Sequence, residues 1–183
     1  MFTTLPPRTK PYALNFYGTI HDWQRKDIAG WQPLPTIVFE ARNARGGIIL
    51  ADHANPANPA RLVNPDDVPQ LVDVAYPEHN PLIVHGWPGV RGPFYQLRKD
   101  TPSRKHLASQ IYDATRKIFN SKDLGRPYSD GVILCPIKNT DQGILLRFDD
   151  LVLHGLVNVG PCLWQPEFSV LSEPNALVSL SLA

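Results

Sequence analysis

Short apolar runs broken by turn-forming residues set the pattern of this chain. Tyr12, Leu14 and Phe16 alternate with smaller or polar positions, and Leu34 to Glu40 (LPTIVFE) is rich in β-branched and aromatic residues. Both patterns predict strands. The turn-rich ARNARGG separates LPTIVFE from Gly47 to Ala51 (GIILA), and the two runs predict a hairpin. Leu71 to Tyr76, Leu82 to His85 and Phe94 to Arg98 are further short strands. Val132 to Ile137 and Ile144 to Phe148 flank KNTDQG as a second hairpin. Leu151 to Val159 and Cys162 to Leu171 follow, each bounded by Gly, Pro or Asp, and the alternating tail ALVSLSLA reads as a closing strand. One segment departs from this period. Leu107, Ile111, Ala114 and Ile118 recur at spacings of four, three and four, widened by Ala108, Tyr112 and Phe119. That stripe predicts one amphipathic helix over about 102–120, with Thr101 as its cap and Pro102 in its first turn. The expected fold is α+β and mainly antiparallel β: a compact sheet or sandwich with one main helix packed on it.

Composition sharpens this picture. Nineteen prolines in 183 residues is about twice the usual ~5%, which cuts most segments before they become long helices. Three Asn-Pro pairs lie in HANPANPARLVNPDDVP, residues 53–69. Each Asn before Pro is pushed toward extended geometry and each Pro fixes its own φ, so the stretch reads as a stiff surface loop rather than a flexible linker. A single β-rich domain over 1–183 with a Pro-rich N-terminal arm is expected. MFTTLPPRTKPY lacks the apolar core of a signal peptide, and no apolar run approaches the ~20 residues of a spanning helix. The expected location is therefore cytoplasmic or otherwise intracellular. Cys135 and Cys162 each sit in an apolar run, which suits buried thiols and leaves a bond between them open.

Charge adds one candidate surface. Residues 98–126 hold eight Lys or Arg against three Asp, a local excess of +5 on a chain of net +1. Arg104, Lys105, Arg116 and Lys117 on the helix are candidate binding residues, as are Trp87 and Arg91 in the Gly-rich lip GWPGVRG. The plain alternative is an ordinary solvated helix face. His85 and His154 each end an apolar run and precede Gly, a place that suits acid–base chemistry, with Asp149 or Asp150 to orient the ring. Asp52, His53, Asp66 and Asp67 bracket the Asn-Pro loop, but lack the spacing of a calcium loop or a zinc site. No metal and no cofactor is expected. Neither GxSxG nor GxxxxGK[ST] occurs.

GPFYQLRK, HLASQIYDATRKIF and DDLVLHGLVNVGPCLW follow one another as strand, helix and strand-turn-strand. In this order of features, about residues 84–170 resemble small uncharacterised domains of mushroom-type fungi. That resemblance implies a domain of unknown, non-enzymatic role and assigns no residue a function. Taken together, these features predict a non-catalytic binding or self-assembly module whose partner is a second copy of itself, as a homo-oligomer, or another protein. The first alternative is a small hydrolase or acid–base enzyme using His85 or His154. The second is phosphate or nucleic-acid binding through the basic helix 98–126.

Overall fold

The computed structural model describes residues 32–42, 46–54, 61–71, 80–84, 95–98, 103–120, 127–129, 131–136, 142–171 and 177–179. The predicted strand at Tyr12–Phe16, the N-terminal arm, most of Leu71–Tyr76 and the start of the helix at Thr101 and Pro102 lie outside them. Among the described residues the apolar stripe does form a 17-residue helix, Arg104–Asn120. Ser103 stands in the capping position: its carbonyl accepts the Leu107 N–H at 2.9 Å, and its hydroxyl lies 3.4 Å from the His106 N–H. The helix buries Leu107, Ala108, Ile111, Ala114, Thr115, Ile118 and Phe119, which is the predicted stripe with Thr115 added and Tyr112 only partly buried.

The described residues also form ten strands. In chain order they are β1 (Ile37–Val38), β2 (Ile48–Ile49), β3 (Leu82–Ile83), β4 (Tyr95–Gln96), β5 (Pro127–Ser129), β6 (Val132–Pro136), β7 (Gln142–Arg147), β8 (Leu151–Gly160), β9 (Leu163–Val170) and β10 (Leu177–Ser179). A single helical turn, α1 (Leu50–His53), follows β2, and the long helix Arg104–Asn120 is α2. One sheet runs β1-β8-β9-β3-β4 with β2 also on β8; the other runs β10-β7-β6-β5. Pairing is antiparallel except for β3 against β9, which is parallel. The fold is thus α+β with mostly antiparallel strands and one main helix. The predicted β6–β7 hairpin forms, and the tail supplies β10, which pairs with β7.

The predicted hairpin between LPTIVFE and GIILA does not form. Both segments lie antiparallel on β8 instead, in nearly continuous register: Ile37 opposite Leu156, Val38 opposite Gly155, then Ile48 opposite Leu153 and Ile49 opposite Val152. The Phe39 N–H donates to the His154 carbonyl at 2.8 Å and closes the step between them. A parallel bridge joins Glu40 to Gly47 between the two segments. Burial explains the choice. Phe39 and Ile48 are both completely buried, and the long β8 offers backbone partners to each while keeping them on the core face.

β8 itself changes parity on the way. Leu151 and Leu153 enter the core, then Leu156 does, because the pairing advances from Leu153–Phe168 to Gly155–Glu167 with one extra residue, His154, on β8. Such a bulge re-aims the side chain it carries. The core gathers residues from both sheets and the helix: Phe39, Ile48, Ile83, Leu97, Ile111, Phe119, Ile133, Leu146, Leu156 and Trp164 belong to one cluster. Trp164 is fully buried and its ring N–H donates to the Leu71 carbonyl at 3.0 Å, so its polar edge is satisfied. Tyr112 and Phe119 both meet the ring of Phe148 edge-on, at 5.3 and 5.6 Å between centroids.

The later part of the Asn-Pro stretch is tied down. Leu62 enters the core, and the segment pairs with the end of β1 through Arg42 N–H to Arg61 O and Val63 N–H to Glu40 O, both 2.8 Å. Asn64 takes a left-handed φ of 49°, a conformation that Asn tolerates better than most residues. The carbonyls of Asp67 and Pro65 then accept the N–H groups of Arg104 and Lys105 at 2.8 and 2.9 Å. Two of the helix's unpaired N-terminal donors are satisfied by this loop. No helix of the described residues is long and apolar enough to cross a membrane.

Candidate functional site

α2 carries most of the predicted binding residues that the structure describes, and it uses them unequally. Arg104 is turned inward. Its guanidinium donates to the carbonyl oxygen of Val38 and lies 3.4 Å from the carboxylate of Asp67, with 20% of the side chain exposed. In an antiparallel strand alternate residues point their backbone groups to opposite sides. Phe39 points to β8, so Val38 points to the open side of β1. Arg104 therefore covers a free carbonyl on an edge strand.

Gln110, which sequence reasoning did not single out, does the same at the far edge. The Leu97 N–H donates to the Pro81 carbonyl, so the Arg98 N–H faces away from β3. Gln110 Oε1 accepts that N–H at 2.7 Å. The two ends of the strand order β1-β8-β9-β3-β4 are thus fastened by side chains of one helix. Uncovered strand edges invite pairing with other chains, and these two are occupied at Val38 and Arg98.

The remaining cations stay on the outer face. Arg116 is exposed, donates to the Tyr112 hydroxyl at 2.6 Å, and lies 5.7 and 5.6 Å from the ring centroids of Tyr112 and Phe148. Lys117 places its ammonium 5.8 Å from the ring of Tyr95. Burial raises the Tyr95 phenol above its usual range. Asp113, Arg116, Lys117 and Asn120 line a shallow depression of about 310 Å³. Cations held over aromatic faces lose less freedom on meeting a ligand. Lys105 is exposed near the other end of the helix. Trp87, Arg91 and His85 lie outside the described residues.

His154, the bulged residue, sits half-buried with its Nε2 at 2.5 Å from the Ser169 hydroxyl. Its ring fills the space that a side chain at Gly47 would occupy: an added Cβ there would lie 2.8 Å from Nδ1. Ser169 is only 3% exposed. Asp149 and Asp150 belong to a 3-10 turn before β8, and four residues of extended chain place Asp150 roughly 13 Å from His154 along the strand. His154 thus meets a serine from the neighbouring strand, a contact between residues 15 apart that no local pattern announces.

A second histidine–serine contact joins α1 to α2. His53 Nε2 lies 3.0 Å from Ser109 Oγ, and Ser109 in turn donates to the Lys105 carbonyl at 3.2 Å. Nδ1 of His53 is buried and has no hydrogen-bond partner. Burial, and then the nearby Lys105 ammonium, hold the imidazole below its ordinary range. His53 drew notice in the sequence for its neighbour Asp52, as a metal ligand; among the described residues no three His, Cys, Asp or Glu side chains converge. His106 takes a local role, with Nδ1 at 2.5 Å from the capping Ser103 hydroxyl. Cys162 is buried, while the side chain of Cys135 lies outside the described residues. Compared with known protein families, curated proteins and solved structures, the chain matches none of them.

Proposed function

We propose that this chain is a non-catalytic binding module, and that the outer face of α2 holds an acidic segment of a partner protein. The observation that carries this reading is the fixing of Arg116 and Lys117 over Tyr112, Phe148 and Tyr95 beside the depression they line. A guanidinium held near aromatic rings still has N–H groups to offer a carboxylate. Nucleic acid is the weaker fit. Arg104, which would extend the basic face along the helix for a phosphate run, is spent on Val38 and Asp67. The occupied edges at Val38 and Arg98 favour a partner on the helix face over copies pairing strand to strand.

The acid–base alternative has less support. The hydroxyl beside His154 is closed to a substrate by burial, and the ring of His53 has nothing on Nδ1 to orient it as a base.

Calorimetric titration of the full chain with a Glu-rich peptide, and with a single-stranded oligonucleotide of equal length, tests the proposal. The peptide is expected to bind, and Arg116→Gln with Lys117→Gln to weaken it roughly ten-fold, about 1.4 kcal/mol. Failure of the peptide to bind overturns the proposal. Tighter binding of the oligonucleotide with a steep salt dependence overturns it in favour of nucleic acid.

A further inference from the structure

We infer that the His53–Ser109 contact is an acid-opened latch between α1 and α2. The protons in this contact can be assigned from the network. Ser109 has a single hydroxyl proton, and the Lys105 carbonyl lies at 3.2 Å to accept it. The neutral imidazole then donates from Nε2 to Ser109 Oγ at 3.0 Å, so that N–H, O–H and carbonyl form one chain. Nδ1 is left as a lone pair, buried and without a partner. The opposite tautomer would bury an N–H donor with no acceptor, an arrangement that folded chains avoid.

Protonation creates that unfavourable state. A second proton must go to Nδ1, where no acceptor waits, and it brings a positive charge next to Lys105. α1 packs against α2, β2, β8 and the 3-10 turn before β8. The titratable and charged groups on those elements are Arg104, Lys105, His106, Asp113, Arg116 and Lys117 on α2, His154 on β8, and Asp149 and Asp150 on the 3-10 turn, with Asp52 on α1 itself. Lys105 is the charge that acts on the imidazole, and it acts against protonation. Swinging α1 away lets water hydrate both ring nitrogens. Only the partly exposed end of the turn, Ala51 to His53, has to move, because Leu50 stays buried in the core. The latch gives the fold a response to mild acid about two turns along α2 from Arg116, and it stands whether or not the Arg116–Lys117 face binds a partner.

Backbone amide exchange on the full chain, corrected for the pH dependence of the chemical step, reads the latch directly. Between about pH 7.5 and about pH 5.5, where histidine changes charge, amides of residues 51–54 are expected to speed up several-fold while those of β2, β8 and β9 keep their protection. His53→Gln, which cannot take up a proton, is expected to show no such change. Equal protection of residues 51–54 at the two pH values overturns the latch. So does equal acceleration throughout β8 and β9, which would signal global unfolding, or an undiminished response in His53→Gln. A magnetic-resonance titration of His53 in the unmodified chain supplies a readout that needs no variant: a midpoint below the usual 6.5 is expected, and a midpoint at or above it overturns the inference.

Discussion

Arg104 donates a side-chain N–H to the carbonyl oxygen of Val38, 66 positions earlier in the chain. With its second contact to Asp67, this one side chain joins β1, the end of the Asn-Pro loop and the long helix. Arg104→Ala is expected to cost about 1.5–3 kcal/mol, the range for hydrogen bonds made by a charged donor. Arg104→Lys should recover only part of it, since an ammonium cannot reach two acceptors as a planar fork does. Asp67→Ala should cost about 0–1 kcal/mol, because its carboxylate is 54% exposed and exposed pairs contribute little. Its backbone carbonyl continues to accept from the Arg104 N–H. Denaturant midpoints of the three variants check the order, and sedimentation of Arg104→Ala should show more self-association as the Val38 carbonyl is uncovered.

Gly47 and Gly131 share a left-handed backbone but not a surrounding. Gly47 has φ +86°, and an added Cβ would lie 2.7 Å from the Leu153 carbonyl oxygen and 2.8 Å from His154 Nδ1. Gly131 has φ +73° with nothing within 4 Å. Gly131→Ala should therefore cost only the conformational penalty, about 1–2 kcal/mol. Gly47→Ala adds a clash with backbone that cannot rotate away, and is expected to cost roughly 1–3 kcal/mol more. Thermal unfolding of the two variants separates strain from crowding.

How much of this could be read from the sequence depends on the distance between partners. The helix was legible because Leu107, Ile111, Ala114 and Ile118 declare a period of 3.6 within one segment, and each is buried. The β6–β7 pairing was legible because its turn residues lie between its strands. The placement of LPTIVFE and GIILA was not: Ile37 pairs with Leu156 and Ile48 with Leu153, and nothing local distinguishes that from a hairpin. The basic helix shows the same limit. Composition counts Arg104 and Arg116 as equal charges, yet one is consumed by a strand edge and the other is held outward on Phe148. At His154 the sequence drew attention to the glycine that follows, whereas the glycine that makes room for the ring is Gly47. His85, Trp87 and Arg91 fall outside the described residues.

Phe148 links stability to the proposed binding face. It is buried and meets Tyr112 and Phe119 in edge contacts, with Arg116 5.6 Å from its ring centroid. Phe148→Ala should cost about 3–5 kcal/mol, as for other buried aromatics. Phe148→Leu keeps most of the apolar volume and should cost no more than about 1.5 kcal/mol. It nevertheless removes the π-face beneath Arg116, so the affinity for a Glu-rich peptide should fall further in Phe148→Leu than its stability suggests. Calorimetric titration beside a denaturation curve of the same sample checks both halves.

Tyr95 makes an alkaline prediction whose sign follows from its burial. The phenol stands above its ordinary value of 10.0 in the folded chain because burial disfavours the phenolate. Below about pH 10 both folded and unfolded chains keep the proton, and the group contributes no pH dependence. As pH rises past 10 the unfolded chain loses its proton first, so stability falls with pH until the folded phenol titrates as well. Tyr95→Phe keeps the ring under Lys117 and deletes the titration. Denaturant midpoints measured from about pH 8 to about pH 11 should therefore decline less steeply in Tyr95→Phe than in the unmodified chain. An unchanged slope would mean that the phenol is as hydrated in the folded chain as in the unfolded one.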